Sequence, residues 1–180
     1  MSCDIAKGRL EPCKDVVGGL KSLYFVNYGD IASVAKLTTE GNEDVIDTIT
    51  PLGATADAYR YDIKGASSFT QNIQSSRDTG TTAFEQVIEV TLKKLSIADH
   101  KELKILAFGR PHVIIEDNNG NYFLAGLEHG ADVTGGTIVT GTAMSDLSGY
   151  TLTLTGMEKA PANFLGDTPE NVGFTIVSGS

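Results

Sequence analysis

At 180 residues, with a formal charge of −9, 20 glycines and no tryptophan, the chain is long enough to build one domain with a real core, so a second domain is not required. The charge is uneven, −3 over residues 1–56, neutral over 57–108 and −6 over 109–180, and this argues against a nucleic-acid binder, which needs a basic stripe to release counterions. No stretch approaches the roughly 20 consecutive apolar residues of a membrane span, and no apolar run after Met1 makes a signal peptide, so cytosolic synthesis is expected.

Residues 1–19 hold Gly8, Pro12, Gly18 and Gly19 among mixed charges and read as an extended arm. Cys3 and Cys13, the only cysteines, are expected as free thiols: no secretion signal favours a disulfide, and no histidine nearby completes a zinc site. From residue 20 to 180 the pattern is that of a single β-rich domain. Leu20 to Tyr28 is rich in Leu, Tyr, Phe and Val. Tyr28-Gly29-Asp30 then turns into a second strand, Ile31 to Leu37, and Val45 to Ile49 forms a short third.

A long alternating ribbon occupies the middle third. Its first arm, Tyr59 to Gln74, places Tyr59, Tyr61, Ile63, Phe69 and Ile73 among Gln, Asn, Ser and Thr. The polar turn Ser75 to Gly80 follows. In the second arm Phe84, Ile88, Val90 and Leu92 share one parity and Glu85, Glu89, Thr91 and Lys93 the other, the period of two of a half-buried strand. Both faces near the tip are polar, and a two-stranded ribbon alone is marginal in water, so a partner is expected to complete it.

Ser96 can cap a helix with Asp99 three residues on. Ile97, Leu103, Leu106 and Phe108 supply its apolar face, Gly109 suits its end and Pro111 prevents continuation. His112 to Glu116 and Tyr122 to Leu127 flank Asn119-Gly120, a strong hairpin signal. Ala131 to Thr142 carries Gly135-Gly136, expected at a bulge or a close backbone approach. Tyr150, Leu152 and Leu154 alternate with threonines, and Val172, Phe174 and Ile176 close the chain in the same manner. Eight to ten strands and one helix predict a mainly β fold, a sandwich or barrel with the helix packed on it.

Chemistry finds little support. His100, His112 and His129 with Glu116 and Asp117 do not recur at ligand spacing. Asp117-x-Asn119-x-Asn121 resembles the start of a calcium loop and Glu128 falls at its twelfth position, but Tyr122 stands where that loop needs glycine and opens a strand. The glycines of 135–141 lack both the dinucleotide fingerprint and the lysine of a phosphate loop, and no Gly-x-Ser-x-Gly elbow occurs. No enzyme, cofactor or metal is expected.

The succession of the long polar hairpin (Tyr59 to Leu92), the capped helix (Ser96 to Phe108) and the β half ending in Gly149-Tyr150-Thr151-Leu152-Thr153-Leu154-Thr155-Gly156 resembles the tail tube proteins of long-tailed bacteriophages. The opening from Cys3-Asp4-Ile5 through Cys13-Lys14-Asp15 to Gly18-Gly19-Leu20-Lys21 is similar to structural virion proteins of tailed phages. The resemblance implies a virion subunit assembled in the host cytoplasm as stacked hexameric rings, partnered by itself and by other tail proteins. In that family DNA passes through the channel at genome ejection without specific binding. It also implies that the hairpin residues named above, Tyr59 to Leu92, lie between subunits, with Glu85 and Glu89 toward the lumen. A capsid-decorating, tail-completion or other ring-forming virion protein is the alternative, one that shares the composition without polymerising.

Overall fold

A computed structural model describes residues 7–179, which fold as a mainly β protein. The central layer is a six-stranded sheet. In spatial order it holds β11 (Asn163–Phe164), β8 (Tyr122–Ala125), β7 (His112–Asp117), β1 (Leu20–Val26), β4 (Ala56–Asp62) and β12 (Phe174–Ser178). The unbroken apolar runs of β1 and β7 follow from its place in the molecule: this sheet is buried on both faces, so alternation has no solvent side to mark. Leu23, Phe25, Val113 and Ile115 enter one core cluster, while Tyr24, Val26, Ile114 and Leu124 enter another.

The first cluster is shared with a four-stranded antiparallel sheet, in order β5 (Ser68–Ser76), β6 (Thr81–Lys93), β10 (Gly149–Glu158) and β9 (Asp132–Val139). It contributes Ile88, Val90 and Leu154. The second cluster is covered by a two-stranded ribbon of β2 (Ile31–Lys36) and β3 (Ile46–Pro51), through Ile46 and Ile49, and by the short α2 (Pro169–Val172), through Val172. Three layers result, with the six-stranded sheet in the middle.

Several expectations need correction. The first arm of the ribbon is divided: Tyr59 and Tyr61 lie in β4, where they pair with Phe25 and Leu23 of β1, and only from Ser68 does the chain join β6. Between them the chain crosses from one sheet to the other around Gly65. Val172 belongs to α2, whose first position is Pro169, and not to the final strand. The main helix, α1 (Ile97–Leu106), is capped as expected, the Ser96 hydroxyl accepting the Asp99 N–H at 3.0 Å. Its end owes nothing to a left-handed Gly109; the last turn tightens instead, with the N–H groups of Phe108 and Gly109 donating to Ile105 and Leu106. Its expected apolar face is mostly in water. Leu103 is buried and Leu106 partly so, but Ile97 and Phe108 are 94% and 86% exposed, because α1 meets the core only through its inner turn.

The Asp117–Asn121 hairpin loop forms around Gly120, whose φ is 83°. The Asp117 carboxylate accepts the N–H groups of Asn119 and Asn121 and both their side-chain amides. Those bonds occupy the oxygens a calcium loop would have used. The same loop holds the root of the N-terminal arm, since Asn119 exchanges two hydrogen bonds with the Val17 backbone and the Asn118 amide donates to Gly18 O. Residues 7–18 carry no helix or strand. Cys13 is a free, exposed thiol, and Cys3 lies outside the described residues.

Candidate functional site

Strand alternation gives the four-stranded sheet two different faces. Even-numbered residues of β6 and β10 point inward, with Gln86, Ile88, Val90, Tyr150 and Leu154 buried and Leu92 and Leu152 partly so. The opposite face is lined with polar side chains: Ser68, Thr70, Asn72 and Gln74 of β5, Glu85, Glu89, Thr91 and Lys93 of β6, Thr151, Thr153 and Thr155 of β10, and Thr137 of β9. Val87 and Met157, with Ala83 and Val139, are its apolar exceptions. Hydroxyls pair across the strands, Thr137 with Thr151 at 2.5 Å and Thr134 with Thr155 at 3.0 Å, which is how a polar face stabilises its own sheet. The Glu85 carboxylate accepts the amides of Asn72 and Gln74, so it lies along the sheet.

Glu85 and Glu89 therefore share the solvent face, as the parity predicts. Of the apolar members of the same strand expected between subunits, two are instead buried inside the protomer itself. Ile88 and Val90 are 0% and 2% exposed inside their own molecule, Ile63 is likewise a core residue of the protomer, and Tyr61 packs partly buried against the same core. The reason is that β6 is not an unsupported ribbon arm: β10 pairs with it from Phe84 to Lys93, a partner some 60 residues away that no local pattern reveals. Among the ribbon positions, Ile73 is 69% exposed, and Phe69 and Phe84 are partly buried.

What remains open are the two edges of this sheet. β5 pairs only with β6 and β9 only with β10, and no other backbone–backbone hydrogen bond of the described residues reaches either strand, although the Gln71 side chain of β5 accepts the Ala162 N–H at 2.8 Å. Both edges show an exposed isoleucine, Ile73 on β5 and Ile138 on β9, the latter 59% exposed. β9 bulges between Gly135 and Val133, and a Cβ on Gly136 would stand 2.4 Å from the Thr151 carbonyl oxygen, so the paired glycines mark both the irregularity and the close approach expected of them. An unprotected edge of eight or nine residues is a template for another strand.

The titratable groups are engaged in structure. Glu116 is buried, with Lys21, Ser22 and Tyr24 donating to its carboxylate. Burial alone would push its pKa up, but these donors more than offset that and hold it below the usual carboxylate range. His112 donates from Nδ1 to Gly126 O at 2.6 Å and stacks on Tyr28; burial lowers its pKa, which keeps the ring neutral. Among the described residues one set of metal-competent side chains converges, Glu128, His129 and Glu158. Glu158 already accepts the N–H groups of Glu128 and His129, and Glu128 pairs with Lys159 at 3.3 Å, so the set serves as a latch on the β8–β9 loop. His100 sits on α1, well away from it. No helix of the described residues is long and apolar enough to cross a membrane. Comparison with protein-family models, with curated proteins and with solved structures finds no match to this chain.

Proposed function

We propose that this chain is a structural subunit that closes into rings by edge-to-edge pairing of its four-stranded sheet, and that the rings stack into a hollow tube of the phage-tail kind. The observation that carries the reading is the pair of open edges. In the order β5, β6, β10, β9 each strand runs antiparallel to its neighbour, so the two edge strands run opposite to one another. A copy turned about a common axis presents its β5 antiparallel to β9 of the first, and the alternation continues unbroken from subunit to subunit. Such head-to-tail contacts close into a ring when the rotation permits. Each N–H and C=O left open on the two edges then finds a partner.

In this reading the solvent face of the sheet lines the channel. Its side chains are mostly neutral and many are threonines or serines, with Glu85, Glu89 and Asp132 outnumbering Lys93, a surface that offers a passing polyanion little to hold. The role is geometric and requires no turnover. Six copies and tube stacking come from the family resemblance; the open edges support ring closure.

Negative-stain microscopy of the purified protein tests this directly. Six-fold rings or long hollow tubes are expected. Monodisperse monomers at high concentration would overturn the proposal, whereas single rings that never stack would support the ring-forming alternative over the tube.

A further inference from the structure

We propose that β9 of one copy joins β5 of the next in a single register, with Ile138 opposite Phe69, Gly136 opposite Gln71 and Thr137 opposite Thr70. This deepens the ring-forming reading above and rests on it. Three observations select the register.

Faces must match first. On β9, Gly136 and Ile138 lie opposite Leu152 and Tyr150, which point to the core, and on β5 the residues level with Ile88, Gln86 and Phe84 are Phe69, Gln71 and Ile73. A slip of one residue would send each apolar set to the polar face of its neighbour, so allowed registers differ by steps of two.

Exposed apolar groups decide next. In the proposed register the two strands overlap along their length, Ile138 covers the partly buried Phe69, and beyond the β9 bulge Val133 comes beside Ile73, which is 69% exposed in the single protomer. Slipping by two residues one way puts Ile138 against Ser67, outside the strand; slipping the other way puts it against Gln71.

The stagger of the sheet agrees. Phe69 is level with Ile88 of β6, whereas Ile138 is level with Tyr150 and through it with Leu92, four residues further along the same strand. Each copy thus steps about 13 Å along the strands for about 19 Å across its four strands. That corresponds to a strand tilt of about 35°, within the range of closed barrels. The register with Ser67 would give about 19°, outside that range. The register with Gln71 would give about 46°, near its upper limit, and there the lost apolar match decides against it.

Engineered disulfides test the register. In a C3S/C13S background, the pair T137C and T70C is compared with the slipped pairs T137C/S68C and T137C/N72C, all on the exposed polar face. After mild oxidation with copper phenanthroline, covalent ladders are read on non-reducing gels. The T70C pair is expected to give at least about tenfold more ladder, since a two-residue slip carries Cα atoms beyond the reach of about 7 Å that a disulfide allows. A ladder that follows either slipped pair while microscopy shows rings would overturn the register and leave ring formation standing. Absence of rings in the cysteine-free parent, with no ladder from any pair, would overturn both.

Discussion

Glu116 shows how a polar residue is kept inside a β core. Its side chain is 3% exposed, between Lys21 Nζ at 2.5 Å and the hydroxyls of Ser22 and Tyr24, the last at 3.3 Å. Because its pKa is held below its ordinary value of 4.5, the folded state binds a proton less readily than the unfolded one. The stability it contributes is therefore present above pH 4.5 and is lost as the pH falls through the depressed value. Tyr122, beside it, shows the opposite sign: burial first, and then the Glu116 charge, push its pKa up to about 12, so its contribution is present below pH 10 and is lost as the pH rises from 10 toward 12. Melting temperature measured against pH should show both limbs. Glu116→Ala should flatten the acid limb and cost about 1–3 kcal/mol at neutral pH, because the Ser22 and Tyr24 hydroxyls lose their acceptor. Tyr122→Phe should flatten the alkaline limb. An acid limb unchanged in the alanine variant would mean that Glu116 carries none of it.

The β5–β6 hairpin separates two kinds of apolar residue that look alike in the sequence. Ile88 is fully buried between sheets, whereas Ile73 stands near the tip of the same ribbon, mostly in water. Ile88→Asp places an unpaired carboxylate in the core and should unfold the protomer, since burying a charge without a partner costs several kcal/mol. Ile73→Ser should leave the melting temperature of the monomer nearly unchanged, surface substitutions falling within about 0.5 kcal/mol, yet should weaken assembly. Scanning calorimetry paired with sedimentation separates these outcomes; an Ile88→Asp protein that stays folded and only fails to assemble would place that residue between subunits. Parity tells which side of β6 faces inward, and the Ser96 cap and the turn residues locate the start of α1 and the Asn119-Gly120 hairpin, because these signals are local; the end of α1 is not set by the glycine cap expected at Gly109. The partner of β6 was not legible. Nothing near Phe84–Lys93 indicates that residues 149–158 lie beside it, and the alternating run from Tyr59 onward hides the change of sheet at Gly65, where both halves alternate equally well.

Across the whole molecule the layering explains what composition left open. The central six-stranded sheet is apolar on both faces, so the four-stranded sheet can give one face to the core and keep the other mostly polar, with its edges unpaired. In the proposed ring, that division would leave backbone bonding and a few apolar pairs such as Ile138 with Phe69 to hold copies together, against the repulsion of subunits that each carry a formal −9. Screening length falls from about 30 Å at 10 mM salt to about 8 Å at 150 mM, so added salt removes the repulsion between subunits while leaving strand pairing and apolar burial in place. Assembly followed by sedimentation velocity at pH 7 should therefore strengthen as salt rises over that interval. An interface built on ion pairs behaves in the opposite way, coming apart as its charges are screened. Rings that dissociate with added salt would thus count against edge pairing as their cement, whereas rings that form only once salt is present would tie the acidic composition and the open-edged sheet to one mechanism.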